Sequence, residues 1–523
     1  MKEKTHFSIF NQVLSPITPG PSSSNTSGPA RIGYSCNQII GGIPKEVVVE
    51  FSKDGAFPAT YIGMKSDIAF VNGFLEKLQT DPDFNKAYEN AEKEGMKIRF
   101  EIVDDFEAES MEAARISLIT RGNEKYRILG DSTGGGTFRI HDINGCSVNI
   151  LGDSYVLLIF CDKDFITDKE AKQYILGEFD NISSYNIDTV NETCIIEIRS
   201  AWPFDKERLE VLGKNQWVKK ISTLDPLHPV ISNKDNKPPF DSMKGMIEYC
   251  KKYDRSSSQA AFDYEAAVSG WTVDEVNDYA VNLISIIENS VDKGMEGDFE
   301  IEGIVSPKAR KLNNFLNSPK AIEMGFLDKA VTMATGVMEY SNAAGTIVAL
   351  PTGGSSGIIP GILFGAKEYL DLSKEDLIDG LMVAGILGVL MSEDNNFNGG
   401  EYGCQAEVGC GSSMAAGALA HLAGGNIQQV FDAASMALQC HMGLLCDPVG
   451  GYVQVPCIAR NMSGTAISTV SVNAVLAGFD VVIPFDEVVE AMIDLGKRLP
   501  SHMKGCQGSG ICISRTAEKI MIK

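Results

Sequence analysis

Asn233-Lys234-Asp235-Asn236-Lys237-Pro238-Pro239 divides the chain. Polar residues followed by two prolines have the composition of an interdomain linker, and the residue pattern changes across it. Before it, Val47-Val48-Val49-Glu50-Phe51 and Cys194-Ile195-Ile196-Glu197-Ile198 are dense in β-branched residues. Tyr155-Val156-Leu157-Leu158-Ile159-Phe160 is a continuous apolar run short enough for a buried strand. After the linker the period is helical. Thr272 with Glu275 makes a capping-box signature, and Val276, Tyr279, Ala280, Leu283, Ile284 and Ile287 then fall on one helical face. Ser373 with Asp376 repeats the signature before Leu377 to Met391, which is apolar nearly all round, as a helix inside a helical core is. The expected fold class is multidomain α+β. It comprises an N-terminal α/β domain over 1–150, a small sheet domain over 151–222, a linker over 223–240 and a mostly α-helical domain over 241–523. Asp131-Ser132-Thr133-Gly134-Gly135-Gly136 marks a break, after which strands near 137–150, 155–160 and 194–199 are expected to share one small sheet ending near residue 220.

With 523 residues, 44% of them apolar, the chain can build several full cores. A formal charge of −23 repels nucleic acid and anionic membrane, which leaves small molecules or proteins as partners. Met1 to His6 lacks the apolar core of a signal peptide, and the longest apolar run, Leu381 to Met391, is too short to span a bilayer. A cytoplasmic location is therefore expected, in which the twelve cysteines are mostly thiols.

Three of those cysteines sit in turn-forming surroundings. Cys404 lies in Gly399-Gly400-Glu401-Tyr402-Gly403-Cys404-Gln405-Ala406-Glu407-Val408-Gly409, Cys446 in Leu445-Cys446-Asp447-Pro448-Val449-Gly450-Gly451, and Cys457 in Gln454-Val455-Pro456-Cys457-Ile458-Ala459-Arg460-Asn461. Glycine and proline put each sulfur at a loop or helix end, where backbone amides favour thiolate. Three thiolates are one short of a closed site, so a metal or iron-sulfur cluster held by them keeps one position for substrate. The intervals, 42 residues and then 11, match no zinc ribbon or ferredoxin run, and by generic rules each cysteine taken singly reads first as a small buried hydrophobe.

These three segments, together with Pro351-Thr352-Gly353-Gly354-Ser355-Ser356-Gly357-Ile358-Ile359-Pro360-Gly361, resemble in order and spacing the catalytic motifs of the iron-sulfur-dependent L-serine dehydratases. Gly20-Pro21-Ser22-Ser23-Ser24-Asn25-Thr26-Ser27-Gly28-Pro29 resembles the first motif of that family, so the resemblance covers nearly the whole chain. It implies a single-chain form with fused domains that eliminates water from L-serine to give pyruvate and ammonia. It implies a [4Fe-4S] cluster on Cys404, Cys446 and Cys457, with an open iron that binds the leaving hydroxyl, and no pyridoxal phosphate. Ser22, Ser23, Ser24, Asn25 and Thr26, with Thr352, Gly353, Gly354, Ser355 and Ser356, then hold the substrate across a domain interface, since hydroxyls and approachable amides suit a carboxylate. A homodimer and an ACT-like small sheet domain are further implications.

The chain departs from the family where a base is expected. Histidine is replaced by Asn25 in the first motif, and the Gly-His-Gly-Thr-Asp type of turn reads Gly63-Met64-Lys65-Ser66-Asp67. Histidine titrates near working pH, whereas methionine accepts no proton. Lys65 is the nearest candidate replacement, Asp67 a candidate to orient the base or a substrate ammonium, and His441, five residues before Cys446, a candidate acid-base group or one more buried histidine. Cys506 or Cys512 is a candidate temporary fourth ligand. The expected substrate is L-serine or a close β-hydroxy amino acid. The alternatives are a different β-hydroxy or β-thiol acid, and a non-catalytic cluster-binding relative.

Overall fold

The computed structural model describes residues 6–521 except 107, 109, 164–172, 174–176, 178, 180, 181, 393–396, 506 and 507. Its strands are β1 (Ile17–Pro19), β2 (Glu46–Ser52), β3 (Lys97–Val103), β4 (Ala113–Ile119), β5 (Lys125–Gly134), β6 (Thr137–Ile143), β7 (Cys146–Ile150), β8 (Tyr155–Cys161), β9 (Ile182–Val190), β10 (Thr193–Ser200), β11 (Val218–Leu224) and β12 (Thr346–Val348). A six-stranded sheet has the order β3-β2-β4-β5-β6-β7 and a four-stranded sheet the order β11-β8-β10-β9. Only β2 and β3 pair in parallel in these sheets. A parallel pair needs a crossover, supplied here by the helices Phe57–Thr60, Ser66–Phe74 and Ala87–Lys93. From Met243 onward the described residues are mainly helical, so the protein is a multidomain α+β protein.

Strand β8 shows why its sequence is continuously apolar. Val156, Leu158 and Phe160 face the core shared with the large sheet and with Ile32 and Ile39 of the helix Ser23–Ile40. Leu157 and Ile159 face a second core with Ile196, Ile198 and Leu212. Side chains alternate along a strand, so a strand covered on both faces has no polar side to show.

The expected grouping of 137–150 with the small sheet is not what forms. β6 and β7 complete the large sheet, and of the three glycines that looked like a break, Gly134 ends β5 opposite Thr137 while Gly135 and Gly136 are the turn of the β5–β6 hairpin. Gly134, Gly135 and Gly136 have φ of 98°, 56° and 75°, a left-handed run that side chains resist and a tight hairpin needs.

In the helical half both capping boxes form, at Thr272 before Val273–Glu296 and at Ser373 before Lys374–Met391. The second helix is buried from Leu377 to Met391 almost without interruption. Among the described residues, no helix is long and apolar enough to cross a membrane. The linker composition at 233–239 corresponds to a seam held from both sides: Ser232 N donates to Asp153 O at 2.7 Å and Asn236 Nδ2 to Val268 O at 3.0 Å.

The first residues of the chain belong to the helical core. Ile9, Phe10, Val13 and Leu14 are buried in it, and β1 pairs with β12, Ile17 opposite Val348. Glu265, fully buried, accepts from Ser8 Oγ at 2.5 Å and from Ile9 N at 2.7 Å, while Asn11 and Val230 exchange two hydrogen bonds. Burial pushes the Glu265 carboxyl up to about 8. A carboxyl raised on folding stabilises fully below its unfolded value of about 4.5 and loses that contribution as pH rises through about 8. Glu265→Ala is expected to lower unfolding free energy by roughly 2–3 kcal/mol, because two buried donors lose their acceptor. Its loss of stability between pH 5 and 8 should also be shallower than in the parent. Denaturant titrations at the two pH values check both.

Candidate active site

Cys404 follows Gly403, whose φ is 79°, and leads into the helix Cys410–Leu422 through a wide turn. Cys446 lies in the loop after the helix Ile427–Gln439, and Cys457 is the first residue of the helix Cys457–Leu476. Cys404 Sγ, a Glu407 carboxylate oxygen and Cys446 Sγ lie within 4.8 Å of one another. Cys457 stands outside that group but within reach of its charge. Arg460, one helical turn beyond Cys457, ties the loops together: Nη1 donates to Cys404 Sγ at 3.2 Å and to Leu445 O at 2.8 Å, and Nη2 pairs with Asp447 at 2.8 Å.

The Cys404 thiol is held well above its ordinary range, first by its hydrogen bond with Cys446 and then by burial. Burial, followed by the charge of Cys404, does the same to Cys457. Sulfurs that oppose each other's ionisation become thiolates when a positively charged metal-sulfur group sits among them. The donor set fits such a group, for it is sulfur-rich, has one guanidinium N–H donor, and is walled at Cys457 by Met64, Met338, Val453 and Ile458.

The two Ser/Thr/Gly motifs meet at this place. Ser22 caps the helix Ser23–Ile40, accepting from Asn25 N at 3.3 Å, and Gly353 N donates to Ser23 Oγ at 3.1 Å. A Cβ on Gly353 would lie 2.8 Å from Pro21 O, so glycine alone permits this approach of loops from the two halves. Thr352 Oγ1 donates to Glu407 Oε1 at 2.8 Å, and Cys404 Sγ is 3.8 Å from Glu407 Oε2. Asn461 Nδ2 bonds Gly354 O at 2.7 Å and Cys457 O at 2.9 Å, linking the glycine turn to a cysteine. Ser355 and Ser356 donate to Leu350 O and Thr352 O and so shape their own turn. Thr26 Oγ1 donates to Met64 O at 3.4 Å.

The positions that depart from the family pattern are also here. Asn25 Oδ1 accepts from Thr60 Oγ1 at 3.0 Å and Ser66 Oγ at 3.1 Å, and its Nδ2 donates to Glu112 Oε1 at 3.0 Å. Met64 packs against Cys457. Three sequence candidates are placed elsewhere. Lys65 takes a left-handed backbone, φ 61°, and its Nζ donates to Asn85 Oδ1 at 3.2 Å on the surface. Asp67 accepts from Tyr88 Oη at 2.8 Å, its carboxyl raised by burial. His441 sits among helices with Nδ1 2.8 Å from Ala437 O and Nε2 3.3 Å from Ser412 Oγ, and burial lowers its pKa. In the tail, Ile511 N donates to Asp447 Oδ2 at 2.7 Å, which docks the segment on the Cys446 loop, and Cys512 Sγ is 2.9 Å from Ser509 O. Cys506 lies outside the described residues.

Sequence reading missed two carboxyls and a guanidinium. Glu407 and Arg460 each follow a cysteine by three residues, a helical-neighbour spacing that was a usable signal. Glu112 has none, lying in a loop between β3 and β4. It is buried, accepts from Ser24 Oγ and Asn25 Nδ2 at 3.0 Å on one oxygen and from Asn398 Nδ2 at 3.3 Å on the other. Burial chiefly, with the charges of Glu407 and Glu401 adding, pushes its carboxyl up to about 8.

Comparison with known proteins gives the family. The probable L-serine dehydratase alpha chain of Bacillus subtilis is 34% identical over 281 residues, which is 54% of this chain and 94% of that one. The L-serine dehydratase alpha chain of Peptoniphilus asaccharolyticus is 33% identical over 282 residues, 54% of this chain and 97% of its own. L-serine dehydratase 1 of Escherichia coli is 32% identical over 286 residues, covering 53% and 62%. Residues 164–511, which carry all three cysteines, match the family described as serine dehydratase alpha chain. The chain therefore belongs to the serine dehydratase alpha chain family, in a fused single-chain form, and is a carbon–oxygen lyase.

Proposed function

We propose that the chain dehydrates L-serine, or a close β-hydroxy amino acid, to a keto acid and ammonia at the seam between its two halves. The observation that carries this is the convergence of Cys404, Cys446 and Cys457 with the loops Ser22–Asn25 and Thr352–Gly354. The names of the Bacillus and Peptoniphilus relatives support serine as the substrate. The three cysteines would hold a [4Fe-4S] cluster, whose open iron supplies a Lewis acid for the leaving hydroxyl. Arg460 stabilises the thiolate charge by its hydrogen bond to Cys404. Hydroxyls and helix-start amides of the Ser22–Asn25 segment, with the 352–354 turn, bind the substrate carboxylate, because a helix N-terminus and closely approachable backbone favour an anion. Met64, Met338 and Val453 keep water from the Cys457 side. The four-stranded sheet is read as an ACT-like unit over 151–222, and the protein as a cytoplasmic homodimer.

A second reading has one observation in its favour. Cys404, Glu407 and Cys446, all within 4.8 Å, are a donor set for a single zinc-like ion with an open position. Anaerobic reconstitution with iron and sulfide separates the two. A brown protein with matching iron and acid-labile sulfide, and keto acid with ammonia from L-serine in a panel that includes threonine, cysteine and hydroxy acids, is the expected result. A colourless zinc protein would sink the cluster, and turnover of another panel member alone would sink serine.

A further inference from the structure

The geometry points to Glu112 as the catalytic base that removes the substrate α-proton, in place of the histidines absent at 25 and 64. The inference rests on the dehydratase reading above. Elimination needs a group that accepts a proton from carbon, and the three candidates that sequence offered are engaged elsewhere, Lys65 with Asn85, Asp67 with Tyr88 and His441 with Ala437 and Ser412. Glu112 has the placement they lack. Its Oε1 is held by Ser24 and Asn25 of the first motif and its Oε2 by Asn398 of the helical half, so the carboxylate bridges the seam.

The neighbours of Asn398 fix where that is. Gly399 touches the other buried carboxyl, since a Cβ there would run into Glu407 Oε2, and Glu407 in turn contacts Cys404 and Thr352. Two carboxyls thus flank residues 398–399, Glu407 beside the cysteines and Glu112 on the side of the Ser22–Asn25 loop. The partners of Glu112 are a hydroxyl and two amides, all neutral, which is unlike a carboxylate held for an ion pair. Asn25 explains the exchange of roles. Its Oδ1 accepts from two hydroxyls, so its NH2 is turned to Glu112 at 3.0 Å, with the Ser22 and Ser24 hydroxyls farther off at 3.4 and 3.3 Å, and the residue that replaces histidine orients a base instead of being one.

In the step itself the Cα–H bond breaks and the proton goes to a Glu112 oxygen. The released electron pair forms the Cα=Cβ bond as Cβ–O breaks and hydroxide leaves, and the Glu112 proton then returns to hydroxide as water. Among the described residues, the charged groups that act on Glu112 are Glu407 and Glu401, the latter 3.6 Å from Lys504 Nζ. With burial they bring the carboxyl to about 8, within the range of an efficient general base.

Glu112→Gln and Glu112→Asp test this in the reconstituted full chain. Glu112→Gln should lower kcat by about 10²–10⁴-fold, with cluster absorption, iron and sulfide unchanged and KM for L-serine close to the parent value. Glu112→Asp should recover part of the rate. In the parent kcat/KM should rise with pH through about 8, and that limb should vanish in Glu112→Gln. Infrared spectra of cluster-free protein at neutral pH should show a protonated carboxyl band that Glu112→Gln lacks. A Glu112→Gln rate within a few-fold of the parent, an unchanged pH limb, absence of the band, or loss of rate together with the cluster would each overturn the assignment. Turnover by parent and variant alike removes this inference only, whereas a parent that turns over no serine removes the dehydratase reading and this with it.

Discussion

Cys404→Ser, Cys446→Ser and Cys457→Ser should each reduce serine turnover by at least ~10³-fold, which is about 4 kcal/mol of transition-state stabilisation. Hydroxide leaving from carbon is the difficult part of the elimination, and a Lewis acid contributes several kcal/mol there. Serine is nearly the size of cysteine but is a poor ligand for iron, so each variant should keep its fold and lose iron. Cys440 is exposed and provides the control, with Cys440→Ser expected to retain both iron and rate. Iron analysis, circular dichroism and keto-acid assay on the four variants check this. Full activity in any of the three ligand variants would remove that cysteine from the site.

Arg460→Met should be the most destabilising single change near the site, by roughly 3–5 kcal/mol, the usual result of leaving one partner of a buried ion pair alone. Asp447 is the partner left behind, with a side chain only 4% exposed. Methionine replaces most of the volume, so the loss is electrostatic in origin. Adding Asp447→Asn should restore much of the stability, since asparagine still accepts from Ile511 N and carries no charge. A double variant as unstable as the sum of the two single ones would show that the pair is not what matters. The guanidinium is also the hydrogen-bond donor to Cys404, so the double variant should remain slow or cluster-poor even when it is stable again.

Much of the architecture was legible because local rules decide it. The capping boxes at Thr272 and Ser373 and the two-faced run at 155–160 follow from hydrogen-bonding and side-chain alternation within a few residues. The glycine triplet 134–136 was misread because composition signals a turn equally well inside a sheet and between domains. The joining of Ile9–Leu14 to the helical core was illegible for another reason, since nothing local records a partner at Glu265 or Val348. The site divides the same way. Cysteines and glycine loops carry their own chemistry and were visible one by one. Glu112 acquires meaning only from Ser24, Asn25 and Asn398, which are 88, 87 and 286 residues away. Lys65 was attractive by position, yet its left-handed backbone sends the ammonium to Asn85.

The N-terminal segment also imposes a timetable on synthesis. Ile9 is bonded to Glu265 across 256 residues of chain, and β1 waits longer still for β12. At about 5–20 residues per second, a ribosome needs roughly 13–50 s to make the first of these partners after the segment is made. For that interval Ile9, Phe10, Val13 and Leu14 have no core to enter, while the sheets between them and their destination can already form. The apolar residues of this segment thus stay uncovered on the nascent chain until the helical half is released.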